Sequence, residues 1–112
     1  MESSDALAGL SALAQPLRME AFRLLVRAGG AGLPAGEVAR RLEAPANTIS
    51  AALGILRGAG LVRREREGRV IRYSADMGGM RALIAYLMED CCGGDPGACR
   101  PVLDALACEG CP

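Results

Sequence analysis

The chain has 112 residues, 13 basic and 13 acidic, so it is sized for one domain and carries no formal net charge. Every basic residue is Arg, and with no His neither a Ser-His-Asp nor a Cys-His catalytic arrangement can be built; the chain reads as a binding protein and not an enzyme. No run approaches the about 18 apolar residues of a membrane span, and no basic segment followed by an apolar run opens the chain, which points to a cytoplasmic protein.

Leu7, Leu10 and Leu13, with Ala6 and Ala14, recur at helical spacing and predict a first helix, capped by Ser3, Ser4 or Asp5. Pro16 suits the first turn of a second helix, where its missing N–H is not needed. Met19, Phe22, Leu25 and Val26 form the apolar stripe of that helix, and Gly29 and Gly30 end it. Gly32 to Pro34 reads as a short link. A third helix is expected from about Ala35 to Leu42, burying Val38 and Leu42, with Glu43 and Ala44 as a tight turn. Pro45 opens a fourth helix with Ile49, Leu53 and Leu56 on its inner face, and Gly60 is placed to stop it.

Leu61 to Arg66 and Arg69 to Ser74 form a hairpin around a Glu67-Gly68 turn. Beyond Asp76 a fifth helix carries Met80, Leu83, Ile84 and Leu87 at i, i+3, i+4 and i+7, ended by Gly93-Gly94. The tail from Asp95 is rich in Gly, Pro and Cys, with one short helical turn near Val102 to Leu106. The predicted class is therefore mainly α with a small β-hairpin. Two short helices across a tight turn, followed by a two-stranded wing, are the plan of a winged helix-turn-helix. Residues 1–90 form that body and residues 91–112 a cysteine-rich tail.

Charge follows the same division. From Pro16 to Arg72 there are eleven Arg against five Glu, a local net of +6, whereas from Glu89 onward one Arg faces five acidic residues. A basic body suits a polyanion. In a helix-turn-helix the second helix enters the major groove, its first residues facing base edges. Here those residues include Asn47, Thr48 and Ser50, each able to bond a base edge or a phosphate; Asn47 and Thr48 are equally suited to capping the helix. Arg57, Arg63, Arg64, Arg66, Arg69 and Arg72 fall within sixteen residues. Strand alternation puts Arg64 and Arg66 on one face, with Arg69 just across the turn. Glu65 and Glu67 cannot occupy six guanidinium groups, each of which fits a phosphate bidentately. Arg57, Arg64, Arg66 and Arg69 are the expected phosphate contacts.

Leu13-Ala14-Gln15-Pro16-Leu17-Arg18, Asn47-Thr48-Ile49-Ser50 with Leu53, and Leu56-Arg57-Gly58-Ala59-Gly60-Leu61-Val62 stand in order with a wing of Arg66-Glu67-Gly68-Arg69 and Tyr73. In this combination the chain, over about Leu7 to Cys99, resembles the ArsR-type metalloregulatory repressors. The resemblance implies a homodimer through the first and last helices, bound to double-stranded operator DNA with two-fold symmetry and released by a metal or metalloid, with no cofactor required. Two departures stand out. Ala51 and Ala52 occupy positions where family members commonly carry His. The Leu33-to-Val38 region lacks the Cys-x-Cys of the best-known arsenic sensors, and without His the zinc and nickel sites on the last helix cannot be built. What remains resembles a subgroup sensing at the end of the last helix: Tyr86-Leu87, then Cys91-Cys92, then Cys99.

In a reducing compartment the five cysteines are ligands or reactive thiols rather than structural disulfides. Thiolates select soft ions. Trivalent arsenic or antimony takes three sulfurs in a pyramid, which Cys91, Cys92 and Cys99 supply on a Gly-rich loop. Alternatives remain open at this level. Cys108-x-x-Cys111 joined to upstream cysteines would make a four-sulfur zinc site, and either close pair could act as a redox switch in a DNA-binding regulator.

Overall fold

The computed structural model describes residues 1–88 together with Pro101, Val102, Asp104 and Ala105. In chain order the elements are α1 (Ser3–Leu13), α2 (Pro16–Ala28), β1 (Leu33–Pro34), α3 (Ala35–Leu42), α4 (Ala46–Gly58), β2 (Val62–Glu67), β3 (Val70–Ala75) and α5 (Met77–Leu87). Among the described residues no helix is long and apolar enough to cross a membrane. Pro101, Val102, Asp104 and Ala105 are helical and exposed, at the place of the expected short turn.

Helix α1 starts one residue earlier than its Ser and Asp suggest. Glu2 is the N-cap, and its N–H donates to Asp5 Oδ2 at 3.1 Å, so Asp5 works from inside the first turn. Gln15 caps α2, its Oε1 accepting the Arg18 N–H at 2.9 Å, with Pro16 at the first helical position. The Arg18 side chain then reaches back, Nε donating to the Ala12 carbonyl at 2.7 Å and its terminal nitrogen to that of Ser11 at 3.4 Å. One arginine thereby closes the C-terminus of α1 and sets the bend into α2, where cationic donors are favoured.

The core lies where α2, α3, α4 and the sheet meet. Leu25, Val38, Ile49, Leu53, Leu56 and Leu61 are its largest fully buried side chains, each worth about 1.5–3 kcal/mol of transfer from water. Helix α3 buries Val38 and Ala39, with Leu42 only partly covered. Glu43 then takes the left-handed conformation (φ 51°) that turns the chain towards α4. Within α2 the buried set is Ala21, Phe22, Leu24 and Leu25, whereas Met19 and Val26, expected in its apolar stripe, are exposed.

The sheet differs from the expected hairpin in two respects. It has three strands in the order β1-β3-β2, because Leu33 and Pro34 pair with Tyr73 and Arg72. Gly32 makes that approach possible at φ 68°: a Cβ there would overlap the Tyr73 carbonyl. Pro34 is tolerated because β1 is an edge strand. The β2–β3 register, Val62↔Ala75 through Glu67↔Val70, leaves Gly68-Arg69 as the two-residue loop in place of Glu67-Gly68. Gly68 at φ 66° occupies the first central position, the requirement of a type II′ turn.

Asp76 joins sheet to helix. Its N–H donates to the Leu61 carbonyl at 2.8 Å and its Oδ1 caps α5 by accepting the Gly79 N–H at 3.0 Å. Helix α5 is described from Met77 to Leu87, with Met88 as its C-cap at ψ 0° and the Met88 N–H donating to the Ile84 carbonyl. The glycine stop and the cysteine tail lie outside the described residues.

Helices α1 and α5 pack together, and both divide into two faces. The inward faces are Ala6, Gly9 and Ala12 on α1 and Leu83 on α5. Of the leucines at helical spacing in α1, Leu7 and Leu10 point the other way, 63% and 40% exposed, whereas Leu13 packs partly buried against the core. Ile84 and Leu87, part of the α5 stripe, are likewise exposed, Leu87 by 54%. Small residues let α1 approach the body closely, and Leu7 and Leu10 are left on its outer surface.

Candidate nucleic-acid interface

Helix α4 presents its inner row, Ile49, Ala52, Leu53 and Leu56, to the core. Asn47, Thr48, Ser50, Ala51, Gly54, Ile55 and Arg57 are all exposed on the other side. Pro45 holds the N-cap position and provides no side-chain cap, so the expected capping role of Asn47 and Thr48 is not taken up in its usual form. Asn47 Oδ1 accepts the neighbouring Thr48 N–H at 2.9 Å, which leaves its amide nitrogen and second lone pair free for other partners. The first turn of α4 therefore faces outward with an amide, two hydroxyls and the positive end of a helix dipole.

A cleft of about 420 Å³ runs between α4 and the start of α2. Its α4 wall is Asn47, Thr48, Ala51, Ala52 and Ile55; Gln15, Leu17 and Arg18 form the facing wall. Ile55 is 48% exposed there. Sequence reasoning passed over Ile55. Its signal was spacing alone: Thr48, Ala51 and Ile55 fall at i, i+3 and i+7, one row along the helix.

The wing separates its charges by face. Cross-strand partners share a face of the sheet. Arg64 and Arg66 of β2 therefore stand with Tyr73 and Ile71 of β3, and Arg63, Glu65 and Glu67 stand with Ser74, Arg72 and Val70. On the second face the charges satisfy one another: Arg72 Nε lies 3.3 Å from Glu67 Oε2, and Arg63 Nε donates to the buried Ser74 hydroxyl at 3.2 Å. The first face carries arginine without carboxylate. Arg66 Nε donates to the Gly68 carbonyl at 3.2 Å, which draws it along the turn beside exposed Arg69. Among the described residues, Arg57, Arg64, Arg66 and Arg69 make no ion pair.

Arg40 and Arg41 are not comparably available. Both pair with Glu37 on α3, Arg41 Nε at 2.8 Å from its Oε1. Hydrogen bonds from Arg40 and then Arg41 hold the Glu37 carboxyl at about 2, well below the usual carboxylate range, and the same contact raises Arg40. Four arginines without an ion pair thus stand on the end of α4 and one face of the wing; Arg23 and Arg27 of α2 also make no ion pair among the described residues. Cys91, Cys92 and Cys99, the expected ligand thiols, lie outside the described residues, as do Cys108 and Cys111.

Residues 13–65 match a helix-turn-helix domain family. Three solved structures are similar over most of the chain. An ArsR-like transcriptional regulator from Rhodococcus sp. RHA1 is 26% identical with a TM-score of 0.69, covering 93% of this chain and 93% of that one. The homodimeric winged helix-turn-helix DNA-binding domain of Mb0332 from Mycobacterium bovis, a possible ArsR-family transcriptional regulator, is 26% identical with a TM-score of 0.62, covering 78% and 81%. A possible transcriptional regulator for arsenical resistance is 27% identical with a TM-score of 0.59, covering 90% and 97%. No curated protein matches the chain in sequence.

Proposed function

We propose that this chain, a winged helix-turn-helix protein similar to ArsR-type transcriptional regulators, is a homodimeric repressor of that type. It grips operator DNA through α4 and the wing, and it is released when trivalent arsenic or antimony is held by Cys91, Cys92 and Cys99. The observation that carries the DNA reading is the segregation of charge. The outward face of α4 is short and polar at its start, and Arg64 and Arg66 share a carboxylate-free face of a wing whose other face is internally neutralised. Asn47, Thr48 and Ser50 are assigned to base edges and adjacent phosphates, and Arg57, Arg64, Arg66 and Arg69 to phosphates.

The homodimer is supported by the outer faces of α1 and α5. Leu7, Leu10, Ile84 and Leu87 are exposed on two helices that pack against each other, and a relative of the same fold is a homodimer. Two protomers joined there place two α4 helices on half-sites about 34–36 Å apart.

The effector reading rests on donor chemistry. Three thiols and no imidazole suit an ion that takes three sulfurs in a pyramid, and one relative is a possible regulator for arsenical resistance. Cys91 follows exposed Leu87 of α5 by four residues, so gathering the thiols acts on the end of a helix in the proposed dimer seam. A coupling of about 1–3 kcal/mol lowers DNA affinity about 5- to 150-fold. The test uses duplexes selected from a random library by the purified protein. Fluorescence anisotropy with arsenite, antimonite, zinc and peroxide in turn should show release by the first two. Release by zinc or peroxide alone would establish the four-sulfur or redox reading instead, and failure to select any duplex would remove the DNA role.

A further inference from the structure

Helix α4 is unusual for a base-reading surface in what its outward row lacks. Among Asn47, Thr48, Ser50, Ala51, Gly54 and Ile55 there is no Arg or Lys, the residues whose fork reads guanine O6 and N7. The first cation on that side is Arg57, in the last turn. In its place the row turns from polar to apolar along the helix: Asn47 and Thr48 at the start, then Ala51, then Ile55, nearly half exposed.

An exposed isoleucine on an otherwise polar face gains nothing from the monomer's core. Ile55 lies on the flank of α4 that faces the start of α2 and stays half exposed there, whereas Ile49, Leu53 and Leu56 are fully buried. The row lies in the same cleft as Asn47 and Thr48, so it continues the face assigned to the major groove. The apolar feature in that groove is the thymine C5-methyl, which Ala and the Thr methyl commonly contact. Thr48 and Ile55 are about 10 Å apart along the helix at 1.5 Å per residue, about three base-pair steps of 3.4 Å.

We propose that Ala51 and Ile55 are specificity-determining residues that read thymine methyl groups, so that the half-site is set by A·T pairs under the middle of α4. The inference rests on α4 being the DNA-reading helix, as proposed above. Asn47 at the head of the row complements it, because an amide pairs with adenine N6 and N7.

The test separates the two readings. Duplexes are first selected from a random library by the full-length protein, then each thymine of the enriched half-site is replaced by deoxyuridine, which removes the methyl and keeps every hydrogen-bonding group. Replacement at one or two positions should weaken binding about four-fold per half-site, the value of one buried methyl-sized group. Ile55→Ala should abolish that sensitivity at its own position while Ile55→Val keeps it; neither change touches the buried core. Ala51→Ser should do the same one turn nearer the helix start. Uniform indifference to deoxyuridine, or undiminished sensitivity in Ile55→Ala, would overturn the proposal while leaving DNA binding standing. If no duplex is enriched, both readings fall together.

Discussion

Gly79, in the first turn of α5, sits against the backbone of Gly60, just beyond the end of α4: a Cβ on Gly79 would overlap the Gly60 carbonyl oxygen and crowd its carbon at 3.0 Å. The obstacle is backbone, not the movable end of a side chain. This contact fixes where α5 leaves the helix-turn-helix unit. Asp76 fixes the same corner through the Leu61 carbonyl and the Gly79 N–H. Gly79→Ala should therefore cost about 1–3 kcal/mol, the range for forced overpacking, despite alanine's better helix propensity. Gly78→Ala, which meets only Asp76 Oδ1 at 3.3 Å, should be much milder. Thermal unfolding by circular dichroism measures both; equal melting temperatures would show that the corner yields.

Leu7, Leu10 and Leu87 are exposed in the single chain, so a charge placed there leaves the protomer's core intact. Leu10→Glu combined with Leu87→Glu should give a folded monomer by sedimentation, with unchanged helical content. Its affinity for a two-fold duplex should fall by about 100-fold or more, since the second half-site is no longer tethered to the first. A dimer that survives both substitutions would place the seam elsewhere.

Arg64→Ala with Arg66→Ala removes two proposed phosphate partners per protomer. Binding should weaken on every sequence alike, and the slope of log affinity against log salt should flatten by up to about 0.9 for each phosphate no longer neutralised. Arg63→Ala behaves differently, because its guanidinium serves the buried Ser74 hydroxyl; stability should suffer more than the salt slope. Equal slopes for the Arg64–Arg66 pair and for wild type would take that face out of the interface.

Glu37 is held at about 2 by Arg40 and Arg41 against an ordinary 4.5. A folded-state value below the unfolded one means that the stabilisation is present above about 4.5 and is lost as pH falls from there towards 2. The pair lies at the surface, with the Arg40 side chain 70% exposed, so the effect on global stability is small and screened by salt. The carboxyl carbon shift of Glu37 followed by NMR against pH should place its midpoint well under those of the other glutamates. Arg40→Ala should bring it back up, since Arg40 is the larger cause; a midpoint near 4.5 in the wild-type protein would show that the pair does not persist in solution.

Much of the fold was legible because the signals were local. Pro16, the Ala35–Leu42 helix, Pro45 before α4 and the glycine at 60 are punctuation whose effect does not depend on distant partners. The β1 strand was not legible: two residues pair only because Gly32 lets Tyr73 approach, and sequence spacing does not encode that contact. The turn slipped by one residue because Glu67-Gly68 and Gly68-Arg69 are both plausible centres, and only the register distinguishes them. The leucines of α1 marked the helix correctly but not which of its sides meets the body. Helical spacing marks an apolar face without saying what covers it, and here the close approach to the body is made by Ala6, Gly9 and Ala12. At the interface, strand alternation did identify Arg64 and Arg66 as one face, but it did not show that Glu67 and Ser74 engage Arg72 and Arg63.

The thiols are the remaining test. Cys91→Ser, Cys92→Ser and Cys99→Ser should each leave duplex affinity unchanged and abolish release by arsenite, because a pyramidal three-sulfur site tolerates no missing ligand. Cys108→Ser with Cys111→Ser should alter release little if those residues are spare. Arsenic-edge absorption of the loaded protein gives the independent count: three sulfur neighbours in the wild type and fewer in each of the three single variants. Normal release by any one of those variants removes that cysteine from the site. Loss of response in the Cys108–Cys111 variant would move the sensor to the far end of the tail, away from α5. The linkage from thiols to the proposed dimer seam would then need a different path, since Cys91 follows Leu87 by four residues and Cys108 by twenty-one.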